Sequence, residues 1–205
     1  MKILFDYKIF YQQRYGGISN YFYQLSKEFI KREIDLKITS QVHKNEYLKK
    51  IPKSFLAGNF FTFLPHKLNF IIENFNHFNA RLFIKKFKPS IVHETYYSKK
   101  KYYSNLKTVC TAYDMINEIY PNYSPNFKYV NQIKKDTFKR ANKIICISNK
   151  TKEDLIKYFD IETNKIEVTH LSSTFENYKL DKSNFKKFND CLLFVGSRYG
   201  YKNFE

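Results

Sequence analysis

The chain of 205 residues is long enough to form one or two domains with a core of ordinary size. Its three cysteines, Cys110, Cys146 and Cys191, lie far apart, which argues against a secreted disulfide framework and against a zinc site and fits a reducing cytosol. No signal-peptide core follows Lys2, and no apolar run approaches the length of a membrane span, so we expect a cytoplasmic protein.

The formal net charge of +17 is high for a chain of this size. A positive field of this kind attracts polyanions, whether nucleic acid, anionic lipid or nucleotide phosphates. The 36 basic residues are spread along the chain, however, and a codon bias toward A and T would produce the same abundance of Lys, Asn, Ile, Phe and Tyr. The charge therefore permits peripheral association with the inner face of a membrane. No recognition helix, zinc site or aromatic RNA platform motif supports a specific nucleic-acid partner.

A glycine pair, Gly16 and Gly17, separates a short apolar strand at residues 3–5 from an amphipathic helix. Helical spacing of the apolar residues begins directly after the pair, at positions 18, 21, 22, 25, 29 and 30. Glycines let a ligand approach the backbone, and the start of a helix attracts anions, so the pair predicts a phosphate loop. The alternative is that the glycines only turn the chain. The pattern is not GxGxxG, and we discount NAD.

Strands and helices alternate along the rest of the chain. Strands are predicted at 36–39, 91–93, 107–112, 143–147 and 165–170, and helices at 68–83, 127–141 and 148–159. The segment 43–67 is aromatic and has no clean period, so it is a mobile arm, a contact surface for lipid or substrate, or a part packed against its own domain. The alternation predicts an α/β fold, a Rossmann-like parallel sheet with helices on both faces.

Ligands of such sheets bind at the carboxyl ends of the strands, so the residues that follow the strands are candidates for a site. These candidates are Gly16, Gly17, His93, Glu94, Thr95, Tyr96, Tyr97, Ser98, Asp114 and Ser148. His93 and Glu94, with the tyrosines beside them, have a composition suited to holding a sugar by hydrogen bonds and stacking. A histidine that ends a strand can equally be satisfied within the fold.

The C-terminal part suggests a second domain. Residues 171–190 are polar and without pattern, and an apolar strand is predicted at 191–196. We therefore expect an N-terminal domain at 1–170, a linker at 171–190, and the start of a second domain at 191–205. A lone strand cannot form a domain, so the isolated chain is expected to behave poorly in solution.

Five motifs in chain order give the sequence a family resemblance. They are Tyr15–Ser19, His93–Tyr97, Thr111–Met115, Ile145–Ser148 with Thr151, and Phe194–Arg198 with Tyr201–Phe204. Together they resemble the family 4 glycosyltransferases of the GT-B fold, over nearly the whole chain. The resemblance implies retaining transfer of a sugar from a nucleotide sugar to a glycan or lipid-linked acceptor in surface polysaccharide synthesis. It implies no cofactor and no required metal, and it makes this chain the acceptor-side half of the fold.

The resemblance also assigns roles to residues. Gly16 and Gly17 would lie against the donor diphosphate, and Arg198 and Lys202 would neutralise its charge from the second domain. The residues on the acceptor side would be Tyr15, His93, Glu94, Tyr96 and Tyr97.

Tyr113 and Asp114 stand where many relatives have a His-Asp pair, and they would take the catalytic positions. The hydroxyl of Tyr113 would bond the transferring sugar, with an ordinary pKa near 10. Asp114 would orient a sugar hydroxyl or simply cap the next turn.

Relatives carry further residues downstream, a glycine-rich loop and a pair of glutamates that hold the nucleotide and the sugar. This sequence does not contain them. We therefore expect either a truncated or divided enzyme, inactive until a complementing C-terminal chain is present, or a noncatalytic acceptor-binding remnant.

Overall fold

The computed structural model describes residues 1–102, 105–124, 126–173, 192–196 and 204. Its described part contains one sheet of seven strands, and every pair of neighbouring strands is parallel. The strands are β1 (Lys2–Phe5), β2 (Asp35–His43), β3 (Leu56–Phe60), β4 (Ile91–Glu94), β5 (Lys107–Ala112), β6 (Lys143–Cys146) and β7 (Ile166–Val168). The predicted α/β class with a parallel, Rossmann-like sheet is confirmed.

Six α-helices accompany the sheet in the described residues. They are α1 (Lys8–Gln12), α2 (Gly17–Lys31), α3 (Asn69–Phe87), α4 (Ile116–Ile119), α5 (Phe127–Arg140) and α6 (Asn149–Phe159). Short 3-10 turns lie at Leu48–Lys50, His66–Leu68, Pro121–Tyr123 and Thr163–Lys165.

The strand order, β3-β2-β1-β4-β5-β6-β7, means that the chain builds outward from β1 in two directions. The loops that leave β1 and β4 therefore diverge, and the crevice between them is where sheets of this topology bind ligands. We call the edge formed by the carboxyl ends of the strands the rim.

Alternate side chains of the central strands fill a core on each face of the sheet. On one face, Phe5 packs edge-on against Phe22 of α2, with ring centroids 5.1 Å apart. On the other face, Leu4 and Val92 pack with Ile84 of α3. Successive residues of a strand point to opposite faces, so a one-residue slip of register would exchange these two cores.

Two elements differ from the sequence prediction. Helix α1 has only five residues and lies between β1 and the glycine pair, so the glycines do not follow the strand directly. Strand β3 lies inside the segment 43–67 and joins the edge of the sheet. A Cβ on Gly58 would stand 1.8 Å from the backbone oxygen of Ser40, which shows how closely the two strands approach. Much of this segment therefore packs on its own domain.

The described residues near the C-terminus, 192–196, have no assigned strand and are exposed. Within the part of the chain that the structure describes, the strand predicted at 191–196 does not form. The division into a domain, a linker and a second domain stays a prediction.

Candidate functional site

Asp6 fills the crevice between the loops that follow β1 and β4. Its Oδ1 accepts hydrogen bonds from the backbone N and the Oγ1 of Thr95, at 2.9 and 2.5 Å, and from the backbone N of Lys8 at 3.2 Å. Its Oδ2 accepts from the hydroxyl of Tyr102 at 3.1 Å. Burial raises the pKa of Asp6, and the hydrogen bonds oppose that rise. The side chain thus ties the two loops together.

The N-terminus of α2 opens toward the rim. The side-chain Oε1 of Gln13 lies over the first turn and accepts a bond from the backbone N of Ser19 at 3.4 Å. A Cβ on Gly16 would stand 2.2 Å from that oxygen, whereas a Cβ on Gly17 would meet nothing within 4 Å. Gly16 is extended, with φ of 170°, so neither glycine is required for a left-handed conformation. The space at Gly17 is open to a ligand, as a phosphate loop requires.

A surface pocket of about 210 Å³ is lined by Tyr15, which stands two residues before the first residue of α2. Tyr15 and Tyr47 line it with their rings perpendicular and their centroids 5.9 Å apart, and Tyr15 is 63% exposed. Glu46 also lines it and accepts from Arg14 Nη2 at 3.0 Å and from Lys49 Nζ at 2.9 Å. These contacts lower the pKa of Glu46, Lys49 being the largest cause. Tyr47 is half-buried and stacks on Tyr23 of α2, with ring centroids 5.6 Å apart, so the exposed ring is that of Tyr15. An exposed aromatic ring beside charged side chains suits a polar ligand with an apolar face, such as a sugar ring.

Asp114, Tyr96 and Ser148 are the other predicted site residues that remain accessible at the rim. Ser148 caps α6 by accepting a bond from the backbone N of Thr151 at 3.0 Å. Asp114 is exposed, and its Oδ1 accepts a bond from the backbone N of Ile116 at 3.1 Å, so it caps the turn before α4. Tyr96 is half-buried and packs against Tyr97, with centroids 4.8 Å apart. The ring of Tyr21 on α2 lies 6.1 Å from the ring of Tyr113, which brings the first turns of α2 next to the loop after β5.

His93 lies inside the core instead of at the rim. Its Nε2 is 2.9 Å from the Oγ1 of Thr111, and its ring packs against Phe5 and Phe22 at 5.6 and 4.9 Å. Burial lowers the pKa of His93 to about 3, so the ring is neutral. These contacts are those of a structural histidine.

Glu94 is also buried, and it forms an ion pair with Arg140 at the end of α5. Oε1 accepts from Nε at 3.0 Å and Oε2 accepts from Nη2 at 2.5 Å. Burial raises the pKa of Glu94 to about 7, and Arg140 offsets only part of that rise. A cavity of about 210 Å³ adjoins the pair, lined also by Thr108 and Asn142 near the opposite edge of the sheet. The acceptor roles predicted for His93 and Glu94 stay predictions that this geometry does not favour.

Tyr97 and Tyr113, two tyrosines predicted to belong to the site, are buried as well. The hydroxyl of Tyr97 accepts a bond from the backbone N of Tyr113 at 3.4 Å, so the two residues hold the loops after β4 and β5 together. Tyr113 is 9% exposed, its hydroxyl oxygen is buried, and burial raises its pKa well above the ordinary value. A sugar contact through that hydroxyl would require Tyr113 to leave its packing. Its catalytic role also stays a prediction.

A buried ion pair supports the loop that carries Asp114. Lys134 Nζ donates to Glu118 Oε2 at 2.8 Å and to the backbone oxygen of Asp114 at 3.1 Å. It also lies 5.5 Å from the ring centroid of Tyr97. The two charged side chains are 3% and 1% exposed, so they have almost no contact with water. The position of Asp114 therefore depends on a pair that stands on α4 and α5.

Arg198 and Lys202, predicted to bind donor phosphate, lie outside the described residues. Within the ranges that the structure describes, no three His, Cys, Asp or Glu side chains gather as metal ligands would.

Sequence reasoning missed Asp6, Tyr47 and the pair of Lys134 with Glu118. Asp6 carried a usable signal, because an acid directly after a buried first strand stands at the switch point of such a sheet. Tyr47 and the ion pair carried none, since their partners are separated from them by 16 residues or more.

The described residues form a Rossmann-like domain, with the N-terminal end of α2 open at Gly17 and a pocket lined by Tyr15 and Tyr47. The family model of Glycosyltransferase Family 4 matches residues 15–171. The chain therefore belongs to glycosyltransferase family 4.

Two solved glycosyltransferase structures align with the chain, and the first of them resembles it in fold. The apo form of the lipopolysaccharide outer core galactosyltransferase WaaB is 17% identical with a TM-score of 0.54, covering 86% of this chain and 47% of its own. A glycosyltransferase from Rickettsia africae ESF-5 is 18% identical, with a TM-score of 0.47. The match covers 82% of this chain and 42% of that protein. No curated protein matches the chain. The chain thus spans about half the length of these solved structures.

Proposed function

We propose that this chain is the acceptor-side half of a retaining, nucleotide-sugar-dependent glycosyltransferase. Family membership and the GT-B neighbours support the reaction class. The acceptor would be a glycan or a lipid-linked glycan in the synthesis of a surface polysaccharide. Turnover would need a C-terminal donor half, which carries most of the nucleotide contacts in the family.

One observation carries the proposal: the start of α2 is open at Gly17, and Tyr15, two residues before it, lines a pocket with Tyr47. A diphosphate at the helix end would be held by backbone N–H groups and by the helix dipole. An acceptor sugar on the exposed ring of Tyr15 would then stand beside the donor. Proximity of this kind is the main contribution that a transferase half can make.

The remaining roles follow from exposure. Asp114 is accessible, and it would orient an acceptor hydroxyl while it caps its turn. Gly16 would act through Gln13, whose side chain it accommodates. Arg198 and Lys202 would complete the phosphate site from the donor side.

We also propose that the protein works in the cytoplasm at the inner face of a membrane, where a lipid-linked acceptor is presented. No helix in the described part of the chain combines the length and the apolar character that a membrane crossing requires.

A second function is a noncatalytic acceptor-binding protein. The pocket of Tyr15 and Tyr47 lies within the described residues, so it could bind an acceptor without any contact from a donor half.

Titration of the chain with a panel of mono- and oligosaccharide acceptors tests the pocket. Tyr15→Ala is expected to weaken binding of the best acceptor by about fivefold, since aromatic contacts of this type are worth about 1 kcal/mol. The matched control is Tyr129→Ala, because Tyr129 is exposed to a similar degree, 57% against 63%, and stands on α5. Equal effects of the two substitutions, or no acceptor binding at all, would contradict the proposed pocket.

A further inference from the structure

Helix α3 has apolar residues on two opposite faces. Its inner face contains Ile72, Asn76, Ala80 and Ile84, which recur every four residues and are buried. Its outer face carries Ile71, Phe75, Phe78 and Leu82, which are 48–62% exposed. We call these four residues the outer stripe. Their spacing of four, three and four residues places them in one line along the helix.

Hydrogen bonds to the body of the domain fix the rotation of α3. The side-chain amide of Asn76 donates to the backbone oxygen of Val42 and accepts from its backbone N, both at 2.9 Å. Glu73 accepts from Lys8 Nζ at 2.6 Å and from the hydroxyl of Tyr11 at 2.9 Å. The helix therefore cannot turn its outer stripe inward without breaking these bonds.

Exposed apolar residues continue beyond the stripe. Phe70 stands in the first turn of α3, and Phe61, Phe63 and Leu68 stand in the segment before it. Phe63 and Phe70 are each 77% exposed. The four residues of the outer stripe are neighbours on one helix face, and grouped apolar surface of this kind marks an interaction site in a folded protein, whereas single exposed apolar residues do not.

The charges around the stripe have one sign. Lys67, Lys85 and Lys86 are exposed at its two ends. Glu73 is the one acidic residue between Asn69 and Phe87, and it is turned inward to Lys8. An outward face that is apolar and basic complements an anionic lipid surface. A second copy of this chain would bring lysines of the same sign toward this face and offer it no carboxylate from α3.

We infer that α3 lies flat on an anionic membrane, with its outer stripe in the boundary between headgroups and acyl chains. The helix starts near the rim, since Glu73 bonds Lys8 just after β1, and it ends near the other edge, where Lys2 Nζ donates to Phe87 O at 3.3 Å. Its N-terminal end thus holds the rim near the lipid. This inference deepens the membrane association proposed above, and it can be tested without any sugar transfer.

The chain contains no tryptophan, so a single introduced tryptophan reports on one place. Phe78→Trp places it in the outer stripe, and Tyr129→Trp places it on α5 at similar exposure, 62% against 57%. The full chain is mixed with vesicles of equimolar phosphatidylcholine and phosphatidylglycerol, and with vesicles of phosphatidylcholine alone. A blue shift of the emission is expected for the stripe variant with the anionic vesicles, and none for the α5 variant.

Vesicle sedimentation measures the strength of binding. Phe75→Gln with Phe78→Gln, and separately Lys85→Glu with Lys86→Glu, are each expected to weaken binding by about tenfold or more. Tyr123→Gln with Tyr129→Gln is the matched control and should bind as the unchanged chain does. All the substituted side chains are exposed, and circular dichroism with a thermal melt verifies that each variant is folded.

Other outcomes would overturn the inference. A blue shift of both tryptophans would show nonspecific adsorption of the chain to lipid. Equal binding to the neutral and the anionic vesicles would show that the lysines do not attract the helix to anionic lipid. A blue shift without lipid that grows with protein concentration, together with a dimer on size-exclusion chromatography, would identify a second copy as the occupant. Absence of any shift would leave the stripe without a lipid partner.

Discussion

Protonation of His93 should destabilise the folded chain as the pH falls. Burial lowers the pKa of His93 from 6.5 to about 3 in the native state, so the unfolded chain binds this proton first. Stability contributed by the neutral ring is therefore complete above about pH 7 and is lost as the pH falls through 6.5 toward 3. At about pH 5 the loss from this residue alone amounts to about 2 kcal/mol of unfolding free energy.

The variant His93→Gln isolates the contribution of His93 to the pH dependence of the unfolding free energy. A glutamine can still bond the hydroxyl of Thr111, but it does not titrate. Glu94, with its raised pKa, acts with the opposite sign, and the lowered pKa values of His43 and His77 act with the same sign. These contributions are common to both proteins and cancel in the difference. Urea denaturation from about pH 8 to about pH 5 measures the unfolding free energy of each.

The unchanged chain is expected to lose about 2 kcal/mol more than His93→Gln over that range, while acceptor binding by the variant stays unchanged. Parallel pH profiles of the two proteins would refute the buried, neutral ring. Loss of acceptor binding in a fully folded variant would instead indicate that His93 contacts the acceptor, as the sequence predicts.

Two further substitutions separate stability from function. Gly17→Ala meets no atom within 4 Å, so it should leave the melting temperature unchanged or slightly raised while it lowers donor-dependent turnover by about tenfold or more; a lower melting temperature would show that Gly17 is needed by the fold. Lys134→Met leaves the buried carboxylate of Glu118 unpaired, with an expected cost of about 3–5 kcal/mol in urea denaturation. Adding Glu118→Leu should recover most of that loss, and simple additivity of the two changes would contradict a coupled pair.

Apolar periodicity predicted most of the fold, because buried strands and amphipathic helices leave regular patterns in the sequence. The pattern failed for α1, whose five residues are too few to show a period, and for β3, an edge strand interrupted by Gly58. The aromatic segment around β3 combined two roles. Phe55 packs on the core and Phe63 is exposed, so no single period describes it.

The candidate site was predicted less completely. The position of a residue at the end of a strand is visible in the sequence, but the direction of its side chain is not. His93 and Glu94 both end β4, and their side chains enter the two opposite cores of the sheet. The partner of Glu94 is Arg140, 46 residues away, and only the folded chain brings the two together. Tyr15, Gly17 and Asp114 remained accessible because each lies in a loop or at a helix start.

Nucleotide-sugar turnover is the most direct test of the proposed function. The chain would be incubated with a separately expressed donor half of a family 4 glycosyltransferase, a panel of nucleotide sugars and the acceptor that binds best, and release of nucleoside diphosphate would be measured. We predict release only when both halves and the acceptor are present, reduced by Gly17→Ala and Tyr15→Ala and unaffected by Tyr129→Ala. Release of nucleoside diphosphate that is the same for Gly17→Ala, Tyr15→Ala and the unchanged chain would contradict the account. Absence of release with every donor would contradict it as well.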